Sequence, residues 1–330
     1  MKQPLISVIM SVYNEPMDWI NQSVCSILNQ TYRNLEFIIV IDNPERYDVI
    51  NYLTDKSKLD LRIHLIENPV NLGLTKSLNA ALSVARGDYL ARMDADDVSE
   101  ANRLEVQRAF MEEHTNVGVC YSKINIIDES GHVVVHHSER KTTYKQDYLS
   151  WGCMITHPTV FFRKSILNIR QPLYNESYRT AQDYELWTTL SLNGVAIEIV
   201  PCQLLRYRQS TQHIGFLNRE TQNANAREIR HNYIVKYIRA LGCSIDSEAN
   251  ELDVLEVLNQ ISLKQIEDPI PNTLNRIYFL MCYSYGQKSK MGILRYFFNK
   301  KFIFLNLPIF YSYAILCLLI NIKKLPEYQY

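Results

Sequence analysis

The stretch Gly87-Asp88-Tyr89-Leu90-Ala91-Arg92-Met93-Asp94-Ala95-Asp96-Asp97 decides how the rest of the chain is read. Tyr89 to Met93 is short, mostly apolar and bounded by Gly87 and a polar cluster, the pattern of a buried strand. Asp94, Asp96 and Asp97 arrive together at its C-terminal end. An extended backbone points Asp94 and Asp96 to one side, and a turn brings them round a single ion. Like charges this close repel unless a cation lies between them. Hard divalent ions such as Mg²⁺ or Mn²⁺ take carboxylate oxygens together with substrate phosphate. The plainer alternative is that Asp96 or Asp97 caps a helix starting near Ser99 or Glu100.

Upstream, Leu5 to Val12 is apolar on both faces, as a central strand covered by helices requires. Pro16 suits a first helical turn, and Trp19, Ile20, Val24, Ile27 and Leu28 follow at helical spacing. Leu35 to Ile41 is a second strand ending at Asp42. A helix over 47–54, a strand over 61–66, a turn at Asn71-Leu72-Gly73 and a helix through Leu74, Leu78, Ala81, Leu82 and Ala85 lead back to the quoted stretch. Alternating strand and helix predicts a parallel or mostly parallel α/β sheet. Ligands on such sheets gather beyond the carboxyl ends of the strands, where Tyr13-Asn14-Glu15, Asp42-Asn43 and Asp94-Ala95-Asp96 all fall.

Downstream, a helix over 101–113 precedes a change of texture. Strands are expected over 117–121, 124–127 and 133–135, over His157 to Phe162, and over 195–200 and 204–208, with a helix over 181–192 that has Asp183 near its start. From about residue 214 the pattern is helical. Phe302 to Ile320 is apolar, is interrupted by Asn306 and Pro308, and is flanked by Lys300-Lys301 and Lys323-Lys324. That segment could lie in a membrane interface, span a bilayer or form a buried helix; Pro308 and the paired lysines favour the interface.

Composition excludes several classes. With 330 residues and 47% hydrophobic against 21% charged, the chain is globular with one large or two smaller domains. Basic and acidic residues balance at 35 each, so there is no global basic field for nucleic acid. The 7 cysteines are scattered and form no C-x-x-C pair, which reads as buried thiols in a reducing compartment rather than disulfides or zinc. The opening run ends in Tyr13-Asn14-Glu15-Pro16 and reads as a core strand, not a secretory signal.

Taken in order, these motifs resemble the family 2 glycosyltransferases, from Ile6 to about Arg208. They are Ser11-Val12-Tyr13-Asn14-Glu15, Asp42, Asn71-Leu72-Gly73-Leu74 with Lys76 and Asn79, Gly87-Asp88-Tyr89, Asp94-Ala95-Asp96, and Gln182-Asp183-Tyr184-Glu185-Leu186-Trp187. The resemblance implies a GT-A fold, Rossmann-like with a mostly parallel central sheet, over residues 1–212. A helical C-terminal, membrane-associating region is then expected over 213–330.

The resemblance also implies roles. Val12, Tyr13, Asn14, Glu15 and Asp42 would face the base and ribose of a nucleotide-sugar, with Lys76 touching the nucleotide. Asp94, Ala95 and Asp96 would serve ribose, pyrophosphate and a divalent cation, Mn²⁺ or Mg²⁺, with Asp96 and Asp94 as ligands. Arg208 would reach the diphosphate, His157 and Gln182 the acceptor, and Asp183 would be the general base of an inverting transfer. Without the resemblance, Asp183 reads as a first-turn helix carboxylate, Asn14 as a turn former and Lys76 as a solvated helix residue. Two departures stand out: Gln182 replaces a usual second acid before the base, and Pro44 stiffens the loop after Asp42.

The activity implied is transfer of one sugar (a hexosyltransferase) from a UDP-linked donor to a glycan or lipid-linked acceptor in surface polysaccharide assembly. The place implied is the cytoplasm, at the inner face of the plasma membrane. The Gln-x-x-Arg-Trp pattern of processive synthases is absent. Nucleotidyl transfer is disfavoured because Tyr13-Asn14-Glu15-Pro16 lacks the Gly and Lys of a phosphate loop. A non-catalytic, sugar-nucleotide-binding partner subunit remains the alternative, with Gln182 in its favour.

Overall fold

The computed structural model describes residues 3–136, 149–210 and 219–260, with the helical positions Thr273, Leu274, Ile277, Leu280 and Met281. It has two units, one of Met1–Gln146 with Cys153–Ile229 and one of Asp147–Gly152 with Arg230–Tyr330. The boundary expected at residue 212 lies outside the described residues.

The first unit is an α/β sheet. Its opening elements are β1 (Ile6–Val12), α1 (Met17–Leu28), β2 (Leu35–Ile41), α2 (Tyr47–Leu59), β3 (Ile63–Glu67), α3 (Leu74–Val84) and β4 (Tyr89–Asp94). β5 (Val98–Ser99), α4 (Arg103–Glu113), β6 (Val117–Ile127), β7 (Val133–His136), β8 (Phe161–Arg163), α5 (Gln182–Leu192) and β9 (Ala196–Arg208) follow. The strand order is β3-β2-β1-β4-β8-β6-β9-β5, with β7 on β6. β3, β2, β1 and β4 run parallel, as do β6 and β9, while β8 enters antiparallel between β4 and β6. This is the mostly parallel sheet expected of a GT-A fold.

β1 and β2 read as continuous apolar runs because both faces are covered. Ile20, Val24 and Ile27 of α1, Val49 and Leu53 of α2, and Leu104 and Met111 of α4 share one core with Val8, Phe37, Ile39 and Met93. The buried Leu78, Ala81 and Leu82 of α3 stand outside that core, and α3 packs on β1 and β2. Gly87 is required at the entry to β4, since a Cβ there would lie 2.5 Å from Ser7 N.

Several expectations are corrected. Neither Asp96 nor Asp97 caps a helix: β5 intervenes, and α4 starts after Asn102. His157–Thr159 is a 3-10 turn rather than strand, because Pro158 cannot donate to a ladder, and β8 begins at Phe161. The paired segments expected over 117–127 and 195–208 are two long strands with local slips. The register passes from Ser122↔Val200 to Lys123↔Gln203, so Pro201 and Cys202 bulge out and bend β9.

In the second unit, the latter half of the helix Arg219–Ala240 buries Tyr233, Ile234, Tyr237 and Ile238. It stops at Gly242, whose φ of 83° favours glycine. The helix Glu251–Gln260 buries Val254, Leu255 and Leu258. Among the described residues no helix is long and apolar enough to cross a membrane; the segment 302–320 lies outside them.

Candidate active site

β1 has β2 on one side and β4 on the other, with their crossovers on opposite sides of it, so the crevice beyond their carboxyl ends is the topological switch point. After β1, Tyr13 N donates to Glu15 Oε2 at 2.8 Å, which folds Glu15 back beside the strand end. Burial raises its carboxyl to about 7, aided by nearby Asp96 and Asp94 and opposed by the Tyr13 N–H. Asn14 Oδ1 accepts from Asn43 Nδ2 at 2.7 Å, joining the β1 and β2 loops. Val12 is buried, and its carbonyl accepts from Asp42 N at 2.8 Å.

Asp42 is nearly enclosed. It accepts from Leu72 N, Gly73 N and Asn68 Nδ2 at 2.7–2.9 Å and so clamps the turn entering α3. Asp42 thus shapes the crevice from behind its surface. Lys76 is exposed on the first turn of α3.

Asp94, Asp96 and Asp97 each place a carboxylate oxygen within 4.8 Å of the others. Ser23 Oγ of α1 donates to Asp94 O at 2.7 Å, and Ala95 is buried. Asp97 is 0% exposed; Oδ1 accepts from Arg208 N at 2.7 Å, and Oδ2 has no partner. Burial, with Asp96 and Asp94 beside it, pushes the Asp97 carboxyl well above the usual range. A hard-oxygen cluster with an orphaned buried oxygen fits a divalent cation. The sequence groups Asp97 with Asp94 and Asp96 at the strand end but offers it only the role of a helix cap.

Arg208 has its guanidinium enclosed by protein groups. It is 0% exposed and donates to Asp96 O, Asp128 O, Glu129 O and Gln22 Oε1 at 2.7–3.0 Å, with the guanidinium 4.9 Å above the Trp19 ring. It staples the Asp96-Asp97 turn to α1 and to the β6–β7 hairpin. The bend of β9 carries it there.

Asp183 lies in the first turn of α5, after Ala181 in left-handed backbone with φ 59°. Its carboxylate is half-buried, and the Cys153 thiol donates to Oδ2 at 3.6 Å. Burial raises its pKa, while the Tyr184 N–H and the charge of Arg92 hold it down. Gln182 is buried at the head of the helix. His157 is buried beneath; its Nε2 is 2.7 Å from Tyr174 Oη, and its ring meets Trp187 edge-on at 5.9 Å. Burial, then Arg92, drives its pKa well down, so it is neutral and helps to build the floor. Asn79 brackets Tyr174, accepting from its N and donating to its O, and Thr75 Oγ1 donates to Tyr178 O, so α3 fixes the segment that leads to Asp183.

Arg92 and Cys153 were missed in the sequence. The signal for Arg92 was present, as a charge inside an apolar strand two residues before Asp94 and therefore on its face.

Residues 7–169 match the sequence model of the family described as Glycosyl transferase family 2. An uncharacterized glycosyltransferase of Methanocaldococcus jannaschii is 35% identical over 210 residues, 63% of this chain and 72% of that protein. The UDP-Glc:alpha-D-GlcNAc-diphosphoundecaprenol beta-1,3-glucosyltransferase WfgD of Escherichia coli is 30% identical over 216 residues, 64% of this chain and 79% of that protein. Among solved structures, TarS 1-349 of S. aureus in complex with UDP-GlcNAc has a TM-score of 0.61 at 18% identity, covering 88% of this chain and 89% of that one. That last likeness is one of fold.

Proposed function

The chain belongs to glycosyl transferase family 2 and is a glycosyltransferase, and from that premise we propose that it moves a single sugar, with inversion, from a UDP-sugar to a glycan or lipid-linked acceptor. The observation that carries this reading is the convergence of Asp94, Asp96 and Asp97 at the switch point, with Asp183 in a separate, proton-holding setting. The UDP and lipid-linked chemistry is supported by the name of the E. coli relative, whose substrates are UDP-Glc and a diphosphoundecaprenol acceptor.

In this mechanism the loops after β1 and β2 hold the nucleotide, through Val12, Tyr13, Asn14 and the turn clamped by Asp42. A Mn²⁺ or Mg²⁺ held by the carboxylates gathered at the end of β4 would neutralise charge on the leaving diphosphate. Asp183 takes the proton from an acceptor hydroxyl. The acceptor oxygen bonds to the anomeric carbon on the face opposite the departing diphosphate, whose C–O bond breaks as the new one forms. Its raised pKa makes Asp183 a stronger base than an exposed aspartate. Lys76 at the rim offers a cation to the nucleotide, and Gln182 offers an amide to the acceptor.

The proposed setting is surface polysaccharide assembly, such as capsule, at the cytoplasmic face of the plasma membrane. Residues 213–330 would make a peripheral contact through Lys300-Lys301 and Lys323-Lys324. The test screens UDP- and GDP-sugars for nucleotide release with and without Mn²⁺. Mn²⁺-dependent release of UDP from one donor, lost in Asp96→Ala, is expected. Absence of both release and metal-dependent nucleotide binding would overturn the reading.

A further inference from the structure

Arg92 lies on β4 between the core residues Ala91 and Met93 and is 3% exposed. Its N donates to Val160 O at 3.1 Å and its O accepts from Arg103 Nη2 at 2.8 Å, so its backbone is fixed from both sides. Its two terminal nitrogens pair with the two oxygens of Asp94, and its Nε has no partner. A buried ion pair of this kind seldom stabilises a fold more than apolar side chains would, so its presence calls for another reason. Asp94 is one of three carboxylates crowded within 4.8 Å. An ion seated on Asp94 would stand beside the guanidinium and be repelled by it. Asp97, by contrast, presents a buried oxygen that lacks any partner.

We propose that Arg92 is a positioning residue that takes up both oxygens of Asp94, keeping Asp94 as an oriented acceptor for the donor's hydroxyl groups and leaving the divalent ion to Asp96 and Asp97. The fork fixes the plane of the Asp94 carboxylate, as a lysine could not. It also reduces the formal charge of the three-carboxylate cluster to that offset by one divalent cation. This inference rests on the nucleotide-sugar reading of the site.

The test is calorimetry on the full chain, titrating Mn²⁺ alone and then UDP in the presence of Mn²⁺. Arg92→Gln, Arg92→Lys, Asp94→Asn, Asp97→Asn and the Arg92→Gln/Asp94→Asn pair are compared. Asp94→Asn and Arg92→Gln are each expected to weaken UDP about tenfold; Asp94→Asn keeps Mn²⁺ binding, and Arg92→Gln, which removes the guanidinium that repels the ion, binds Mn²⁺ at least as tightly as wild type. The double variant should be no worse than either single, because both break one fork. Arg92→Lys should recover part of the UDP affinity, and Asp97→Asn should weaken Mn²⁺ tenfold or more, on the order of one lost charged ligand.

Loss of Mn²⁺ in Asp94→Asn, its retention in Asp97→Asn, or additive losses in the double variant would overturn the inference. If Arg92→Gln fails to fold, Asp94→Asn, Asp97→Asn and the charge-neutral double variant still decide it. A wild-type chain that binds neither Mn²⁺ nor UDP would instead sink the reading beneath it.

Discussion

At the end of β4, Asp94 has a guanidinium on both oxygens and Asp97 a backbone N–H on one. At the head of α5, Asp183 has the Cys153 thiol at 3.6 Å and the N–H groups of its own turn. The first setting crowds three carboxylates together, one of them under a guanidinium, and burial there pushes Asp97 up as well. The second leaves a carboxylate short of partners and so makes it hold a proton more tightly. On the proposed mechanism the same side chain then has two duties, holding a cation at the switch point and taking a proton at the head of α5.

The sharpest way to break this comparison is Asp183→Asn. Transfer should fall about a thousandfold while UDP affinity stays within about twofold, read by turnover and calorimetry. The same variant should melt at a higher temperature at neutral pH. The folded Asp183 keeps its proton to a higher pH than an unfolded aspartate does, so ionising it costs stability above that pH. The advantage of asparagine should therefore fade as pH falls through the raised pKa, and the wild-type rate should fall over the same interval. A variant that lost nucleotide binding too would merge the two settings.

Asp96→Ala comes next. Metal-dependent donor turnover should drop about a hundredfold, with little change in melting temperature, because Asp96 is a half-buried turn residue. Arg208→Gln should act on stability first, costing about 2 kcal/mol in a thermal or urea melt by stripping donors from part-buried carbonyls of the Asp96 turn and the 128–129 hairpin. Cys153→Ser is the smallest and sharpens the acceptor half. A hydroxyl donates more strongly than a thiol, so the acid limb of the rate profile should move to lower pH, with the rate at neutral pH changing about two- to threefold.

What the sequence reveals follows from how local its causes are. β1, β2 and β4 are legible because burial on both faces writes unbroken apolar runs. The switch-point cluster is legible because strand ends and carboxylates coincide in the chain. β6 and β9 read as broken because Lys123 and Pro201 interrupt the pattern, whereas the sheet absorbs both with bulges. The aim of Arg208 depends on Gln22, Asp128 and Glu129, and the pairing of Cys153 with Asp183 spans 30 residues, so no local pattern carries either. Arg92 was within reach: alternation alone puts it beside Asp94.

The Arg208 staple also sets an order of events during synthesis. Its backbone bond to Asp97 closes a separation of 111 residues, against 83 for the bond from Leu5 to Asp88 that ties β1 to the entry of β4. At ribosomal speed the interval between Asp97 and Arg208 takes on the order of ten seconds. Throughout it the nascent chain carries every carboxylate of the quoted stretch without the clasp that fixes their turn. On the proposed reading, competence to grip a nucleotide is deferred until β9 arrives, and a fragment ending before β9 would carry the motif without its lock.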